Sequence, residues 1–257
     1  GGQLPKDYRG IPSHGSLAVT VPGTVDGWFA LHERWGALDM DEVLAPAAEY
    51  AEIGFPMSPV IAAAFAANQR RFEQRESMIE ELDNARALYF PEGVAPAVGT
   101  MFRNPDLAKT LRTLGAEGRA SFYQGRLAEQ MADYFEAIDA DLTAADLANH
   151  VGEWVEPRGV DYHGATLWEL PPNGQGFAAL MMLNIIKQAD VAEMERGSAE
   201  LFHLMVEAKR LAFEAMAQTF ADPVFAQIPV DQLLSDKFAE TQYARISTDK
   251  VLTAEAL

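Results

Sequence analysis

A mainly helical α+β unit is predicted by three features of the sequence. Capping signals recur ahead of apolar residues spaced three and four apart, which is the pattern of amphipathic helices. Strand-like runs are few, confined to Ser16 to Val21 and to Glu153 to Leu170. The hydrophobic share of 49% over 257 residues is enough for a substantial core, read here as one domain over 1–257.

The first fifteen residues, GGQLPKDYRGIPSHG, read as a loop without the apolar core of a signal peptide, and a chain that opens this way is compatible with a fragment. Ser16 to Val21 (SLAVTV) reads as a strand bounded by glycine and proline. Thr24 is placed to cap a helix carrying Val25, Trp28, Phe29, His32 and Trp35 near one face, with Gly36 ending it. Asp39 and Glu42 form a capping box for a helix that Pro46 should kink or split and Gly54 should close. Ser58-Pro59 then opens an alanine-rich helix to about Glu76.

Between Ser77 and Gly99 no period is sustained, so irregular structure with one short strand is expected. Asn104-Pro105-Asp106 restores a clear start, with Leu107, Thr110, Leu111 and Leu114 in one stripe and Gly115 as the stop. A helix from Gly125 to Asp139 follows, then a short one opened by Thr143 and Asp146 and running to His150. Glu153 to Leu170 reads as a hairpin turning at His163-Gly164. Phe177 to Gln188 has little polar surface and reads as a core helix. The helix opened by Ser198 shows two apolar stripes, one through Leu204, Ala208, Leu211 and Ala215 and one through Phe202, Val206, Phe213 and Phe220, which predicts burial on two sides. Asp222-Pro223 breaks it, and a last short helix is expected around Asp231 to Glu240.

Composition narrows the function classes. The formal net charge is −18, from 38 acidic and 20 basic residues, which argues against nucleic acid or an anionic membrane surface as partner. The absence of cysteine removes disulfides, thiolate catalysis and thiolate-bound zinc, and leaves the compartment open between cytoplasmic and periplasmic. No run of about eighteen apolar residues is available to span a bilayer, so a soluble chain is expected.

The stretch Trp168 to Gln188 carries the best functional signal, because it joins a strand to a buried helix through a loop suited to backbone approach. Pro171 and Pro172 stop the strand, Gly174 and Gly176 supply conformational freedom, and Asn173 and Gln175 supply polar side chains. Gly174 to Ala179 even matches G-x-G-x-x-A, but the second parallel strand and ribose-binding acid of a dinucleotide unit do not follow. His203 and Glu207 share a helical face as metal ligands could, yet they are only two and H-E-x-x-H is absent; a solvated helix face is the commoner explanation. His14, His32, His150 and His163 are scattered, G-x-S-x-G is missing, and acidic pairs such as Glu80-Glu81 arise by chance in so acidic a chain.

Ordered segments from about Gly15 to Ile246 carry a resemblance. They are Val21-Pro22-Gly23-Thr24-Val25-Asp26-Gly27-Trp28, Trp35-Gly36-Ala37-Leu38, Leu44-Ala45-Pro46-Ala47 and Asn104 to Leu111. Phe122-Tyr123-Gln124-Gly125, Tyr162-His163-Gly164, Pro171 to Gly176, Leu183-Asn184-Ile185, His203 with Glu207-Ala208-Lys209, and Asp222-Pro223 follow. In this order they resemble the gamma-glutamyltranspeptidase family of N-terminal nucleophile hydrolases, and His203 and Glu207 then read as part of a family helix.

The resemblance implies a precursor that cleaves itself into a large and a small subunit, and a threonine freed at the small subunit's N-terminus that attacks a gamma-glutamyl amide, its own amine acting as base. It implies that this chain is the central and C-terminal part of the large subunit, with its strands belonging to an αββα sandwich completed elsewhere. The arginine for the substrate carboxylate would precede Gly1, and the nucleophile and oxyanion glycines would follow Leu257, so no catalytic residue is carried onto this chain and no cofactor or metal is called for. Asn173, Gly174, Gln175 and Gly176 would form a loop near the substrate. Transpeptidases of the family usually read Pro-Pro-Ser-Ser-Gly-Gly there, and Pro-Pro-Asn-Gly-Gln-Gly looks more like the acylase-like branch. A gamma-glutamyl amide is thus the first expectation for substrate and another acyl amide the second. The implied partner is the small catalytic subunit or the rest of the precursor, and uncovered apolar surface leaves room for a homodimer. The competing expectation is a non-catalytic helical module derived from the same family.

Overall fold

The structure, a computed structural model, describes residues 10–252. Its contacts gather into two compact units, Gly1–Gly152 and Glu153–Leu257, where the sequence predicts one domain. Most of the expected opening loop, residues 1–9, lies outside the described residues, as do the last five.

In the first unit, α1 (Thr24–Trp35) is followed by α2 (Met40–Ile53), whose start is the Asp39/Glu42 capping box. Gly23, not Thr24, is the N-cap of α1 and offers no side chain. Pro46 lies inside α2 without splitting it; its missing N–H removes only the bond to the carbonyl four residues back. Strand β1 (Phe55–Pro56) pairs antiparallel with β2 (Met101–Phe102) after α3 (Pro59–Arg75), opened by Ser58, and α4 (Asp83–Tyr89). The segment expected to be irregular with one strand therefore contains a helix instead, because Glu81 accepts the Asn84 N–H at its start and Arg86 pairs with Glu76.

Next come α5 (Pro105–Glu117), α6 (Arg119–Tyr123), α7 (Arg126–Ala137) and α8 (Ala144–Ala148). Asn104 and Thr143 cap α5 and α8 as expected, through the Leu107 and Asp146 amides. Gly115 does not end α5. A Cβ there would sit 2.8 Å from the Asp41 Cα, so this glycine lets α5 lie close to the first turn of α2, while Gly118, at φ +74°, ends the helix. The core between them holds Val25, Met40, Leu44, Ala48, Leu111, Leu114 and Tyr123.

The run Ser16 to Val21 is not a strand. Ser16–Ala18 forms one 3₁₀ turn, and Glu80 accepts both the Ser16 N–H and its hydroxyl at 2.9 Å. With its first amide held by a side chain, and no strand beside it among the described residues, the β-branched composition has no ladder to join.

In the second unit, β3 (Arg158–Tyr162) and β4 (Ala165–Glu169) form the expected hairpin. Tyr162 faces Ala165, so the loop is His163-Gly164, with φ +47° and +85° as a primed two-residue turn requires. Gly159 faces Trp168, whose ring covers the backbone that the missing Cβ leaves open. Helix α9 (Gly176–Ile186) packs on the hairpin and on α10 (Ala199–Thr219), which Ser198 caps. Two clusters form the core, one around Val160, Phe177, Leu180, Met181 and Ala212, the other around Ile185, Ile186, Leu204, Ala208 and Leu211. Each large side chain buried here contributes about 1.5–3 kcal/mol.

Among the described residues, α10 is buried on one side along most of its length, and of the second predicted stripe only Phe220, just past its end, packs on the core, against Phe177. The Leu204, Ala208, Leu211 stripe is buried, whereas Phe202, Val206 and Phe213 on the opposite side are exposed. Ser235 caps a new helix and so divides the expected last helix into α11 (Val230–Leu233) and α12 (Asp236–Tyr243). No helix among the described residues is long and apolar enough to cross a membrane.

Candidate functional site

The loop from Pro171 to Gly176 connects the end of β4 to α9. Pro172 is buried and anchors the turn, while Asn173, Gly174 and Gln175 project into solvent. The Gln175 carbonyl accepts the Ala178 N–H at 3.0 Å, which starts the helix. Neither Gly174 nor Gly176 adopts a left-handed conformation, so conformational freedom is not what these positions require. Gly176 is required by close approach, since a Cβ on it would collide with the Glu169 carboxylate, and Gly174 has nothing within 4 Å of its own Cβ position.

The Glu169 carboxylate thus lies against the first turn of α9, where the helix dipole favours an anion. This is the place a pyrophosphate would take in a dinucleotide fold. With β3 and β4 antiparallel and α9 followed by α10, the dinucleotide geometry is absent from the described residues of the second unit. The four loop residues do come together at one helix start, and the exposed amides of Asn173 and Gln175 are free to meet a ligand or another segment.

Behind the loop, Asn184 is buried in α9 and donates from its side-chain amide to the Leu234 carbonyl at 2.9 Å. His203 and Glu207, the candidate metal ligands, face the C-terminal run instead. The His203 ring Nε2 lies 2.7 Å from the Ser247 carbonyl, and Glu207 accepts from Arg210 at 3.0 Å and from the Leu252 N–H at 3.1 Å.

The first unit contains a polar knot that sequence reasoning missed. Asp26 is buried and pairs with Arg119, whose guanidinium also donates to the His150 carbonyl at 2.8 Å. The His150 ring Nε2 stands 3.5 Å from the other Asp26 oxygen and stacks on Tyr123 at 5.1 Å between centroids. The Tyr123 hydroxyl donates to the Pro22 carbonyl at 2.6 Å and accepts the Asp26 N–H at 3.0 Å. It therefore serves α1 in place of the cap that Gly23 cannot provide. Burial by itself would raise the Asp26 carboxyl, but the Arg119 hydrogen bond and charge, the Gly152 N–H and His150 outweigh it and hold the group below its ordinary 3.8. An acid two residues into a helix gives no signal of such partners. The two matched segments Val21 to Trp28 and Phe122 to Gly125 do meet here, and that was the available clue.

A groove of about 610 Å³ in the first unit, bordered by Tyr50, Phe55, Tyr89, Phe102 and Leu107, has no charged side chain in its lining. Its lining is mostly aromatic and aliphatic, with Asn104 among its polar members.

The chain is mainly helical, with a two-stranded hairpin joined to α9 by a loop in which Gly176 lies against the Glu169 carboxylate. Residues 4–256 match the gamma-glutamyltranspeptidase family, and the chain belongs to it. It is 35% identical over 232 residues to a glutathione hydrolase-like YwrD proenzyme of Bacillus subtilis (strain 168), covering 90% of this chain and 42% of that protein. Among solved structures it superposes on a cephalosporin acylase from Bacillus halodurans with a TM-score of 0.81 at 36% identity, over 92% of this chain and 44% of that one. A gamma-glutamyltranspeptidase from Helicobacter pylori superposes with a TM-score of 0.83 at 27% identity, over 96% and 69%. The chain spans about two fifths of the length of the curated relatives it matches.

Proposed function

We propose that this chain is a large-subunit segment of an amidohydrolase or acyltransferase that cleaves gamma-glutamyl amides through a threonine supplied by another segment. The observation that carries the proposal is the family match over 4–256 in a chain that spans only 42% of a proenzyme relative. In this role the two-stranded hairpin and α9 form part of a sandwich completed by the rest of the precursor, and Asn173 to Gly176 border the cleft. Asn173 and Gln175 contribute hydrogen bonds from side chains that stand in solvent here, and Gly176 keeps α9 close to the strand end.

The threonine hydroxyl attacks the amide carbonyl while its own amine takes the proton, the C–N bond breaks as that proton passes to the departing amine, and water or an acceptor amine resolves the acyl–threonine ester and restores the hydroxyl. A substrate with another acyl group is the second assignment, favoured by the likeness to a cephalosporin acylase and by Pro-Pro-Asn-Gly-Gln-Gly at the loop.

The test uses two proteins. This polypeptide alone should not turn over a gamma-glutamyl anilide. The complete reading frame, once purified, should separate into two fragments and then release the aniline. Turnover by the chain alone would show that the site is misplaced. A complete frame that encodes no cleavage-site threonine after Leu257 would leave the non-catalytic module as the better assignment. By itself the chain exposes Phe202, Val206 and Phe213, together with Trp168 and Leu170, and should self-associate as a homodimer; a strictly monomeric species in sedimentation counts against that.

A further inference from the structure

Asn173 and Gly174 stand together at the tip of the loop between β4 and α9, and both are exposed. The loop is anchored on either side of this tip by buried Pro172 and fully buried Phe177. The tip itself is not held. Among the described residues neither the Asn173 side-chain amide nor the Gly174 N–H takes part in a hydrogen bond, and the Cβ position of Gly174 has nothing within 4 Å.

An asparagine side-chain carbonyl carbon can close a five-membered ring with the nitrogen of the next residue. Intramolecular attack of this kind depends on how readily the two atoms reach contact. A Cβ on the following residue obstructs the approach, and glycine in that place also samples more backbone conformations. Of the chain's asparagines only Asn173 is followed by glycine. Asn104 precedes Pro105, whose nitrogen has no hydrogen to lose. Asn68 and Asn184 lie inside α3 and α9, where the next N–H is bonded to the preceding turn. The His150 N–H after Asn149 is bonded to the Leu147 carbonyl at 3.1 Å, and Asn84, in the first turn of α4, is followed by Ala85. The related pair Asp26-Gly27 is locked inside α1, with the Gly27 N–H on the Gly23 carbonyl at 3.2 Å and the carboxylate on Arg119.

We propose that Asn173 is a site of spontaneous deamidation and isomerisation, which turns the neutral tip of the candidate site into an anionic one. The Gly174 nitrogen gives up its proton to solvent and bonds to the Asn173 side-chain carbonyl carbon. The C–N bond of the side-chain amide then breaks, and its nitrogen takes up a proton and leaves as ammonia. Water opens the resulting succinimide at either carbonyl. One opening gives aspartate at 173 with the backbone restored; the other gives isoaspartate, in which the chain runs through the former side chain and is longer by a methylene. The balance is one water consumed and one ammonia released, with nothing oxidised or reduced. The new carboxylate lies just ahead of α9, where the helix dipole favours an anion, so the fold persists. Its effect on catalysis rests on the function proposed above: a carboxylate in a loop near the substrate repels the carboxylate of a gamma-glutamyl group and not a neutral acyl group.

The protein encoded by the complete reading frame is purified as wild type, Asn173→Gln, Gly174→Ala and Asn173→Asp, and kept folded in weakly acid and in mildly alkaline buffer. Peptide mapping by mass spectrometry follows each asparagine, and an isoaspartyl carboxyl methyltransferase detects the rearranged backbone. In the wild type the peptide carrying Asn173 should gain the mass difference between amide and acid ahead of every other asparagine peptide. It should do so faster in alkaline buffer, because the attacking nitrogen must lose a proton. Gly174→Ala, whose added methyl meets open space, should convert at least about tenfold more slowly, and Asn173→Gln should accept no methyl group at that position. Asn173→Asp should raise KM for a gamma-glutamyl anilide by about threefold or more and leave KM for a neutral acyl anilide within about twofold. An Asn173 that converts no faster than Asn68 or Asn149 overturns the inference, as does equal conversion in Gly174→Ala. Equal changes in KM for the two anilides overturn the effect on substrate. A complete protein that turns over neither anilide overturns the function proposed above, while the conversion of Asn173 is still read by mass.

Discussion

Asp26 and Glu207 are both buried acids, and they secure different kinds of joint. Asp26 connects three places far apart in sequence, the first turn of α1, Arg119 in α6 and the residues after α8 at His150 and Gly152. Among the described residues, Glu207 accepts from its neighbour Arg210 and from the Leu252 N–H. Loss of the first should be felt throughout its unit. Loss of the second should release one segment and leave the helix packing in place. A buried charge that joins several elements serves the whole unit, whereas one that holds a single segment serves the placement of that segment.

The largest effect expected from breaking this contrast comes from Asp26→Ala. It removes the carboxylate that Arg119, His150 and the Gly152 N–H share and should cost about 3–5 kcal/mol, as removal of one partner of a buried pair does. Glu207→Ala should cost less, about 1–3 kcal/mol, since it leaves without their acceptor only Arg210, on the same helix, and the Leu252 amide. Urea unfolding midpoints with unchanged m values measure both. If the two costs come out equal, or in the reverse order, the distinction between a joint of several elements and a joint of one segment is wrong.

Tyr123→Phe sharpens the same contrast by removing a single oxygen from the knot. That oxygen is bonded to the Pro22 carbonyl and the Asp26 N–H, so two backbone groups lose their partner and about 1–3 kcal/mol should go with them. The ring and its stacking on His150 would remain. A change within about 0.5 kcal/mol would mean that water replaces the hydroxyl without loss.

The pH dependence separates the knot's charge from its shape. The folded Asp26 carboxyl lies below its ordinary 3.8, so its contribution is fully present above that value and is lost as pH falls toward the folded pKa. The difference in Tm between wild type and Asp26→Asn should therefore be smaller at about pH 3 than at about pH 5, shrinking below about pH 4. A difference that grows on acidification would reverse the assigned sign.

Local signals were legible in the sequence because their partners are a few residues away. The boxes at Asp39/Glu42 and Thr143/Asp146, the caps Ser58, Asn104 and Ser198, and the His163-Gly164 turn all lie where the sequence places them. What stayed hidden depends on distant partners. Phe55 pairs with Phe102, Gly115 admits Asp41, Glu80 binds Ser16, and Asp26 gathers Arg119 and His150. The two stripes of α10 were readable as apolar faces, but nothing local says which is covered within this chain. The loop of the candidate site lies between these cases. Its position between strand and helix was readable, while the reason for Gly176 required the placement of Glu169.

The smallest expected change in stability, and the one most informative about function, concerns that loop. Asn173 and Gln175 are exposed, so replacing both by alanine should alter stability by no more than about 0.5 kcal/mol. In the complete enzyme the same pair should lower kcat/KM, because a side chain that meets substrate or the catalytic segment loses a hydrogen bond there. Gly176→Ala provides the matched control: its Cβ displaces the Glu169 carboxylate, the mobile end of a side chain, so the fold should survive while the start of α9 shifts. If the double variant leaves kcat/KM untouched and Gly176→Ala lowers it, the loop acts through backbone shape alone. If neither changes it, the loop is a structural connection and the cleft lies elsewhere.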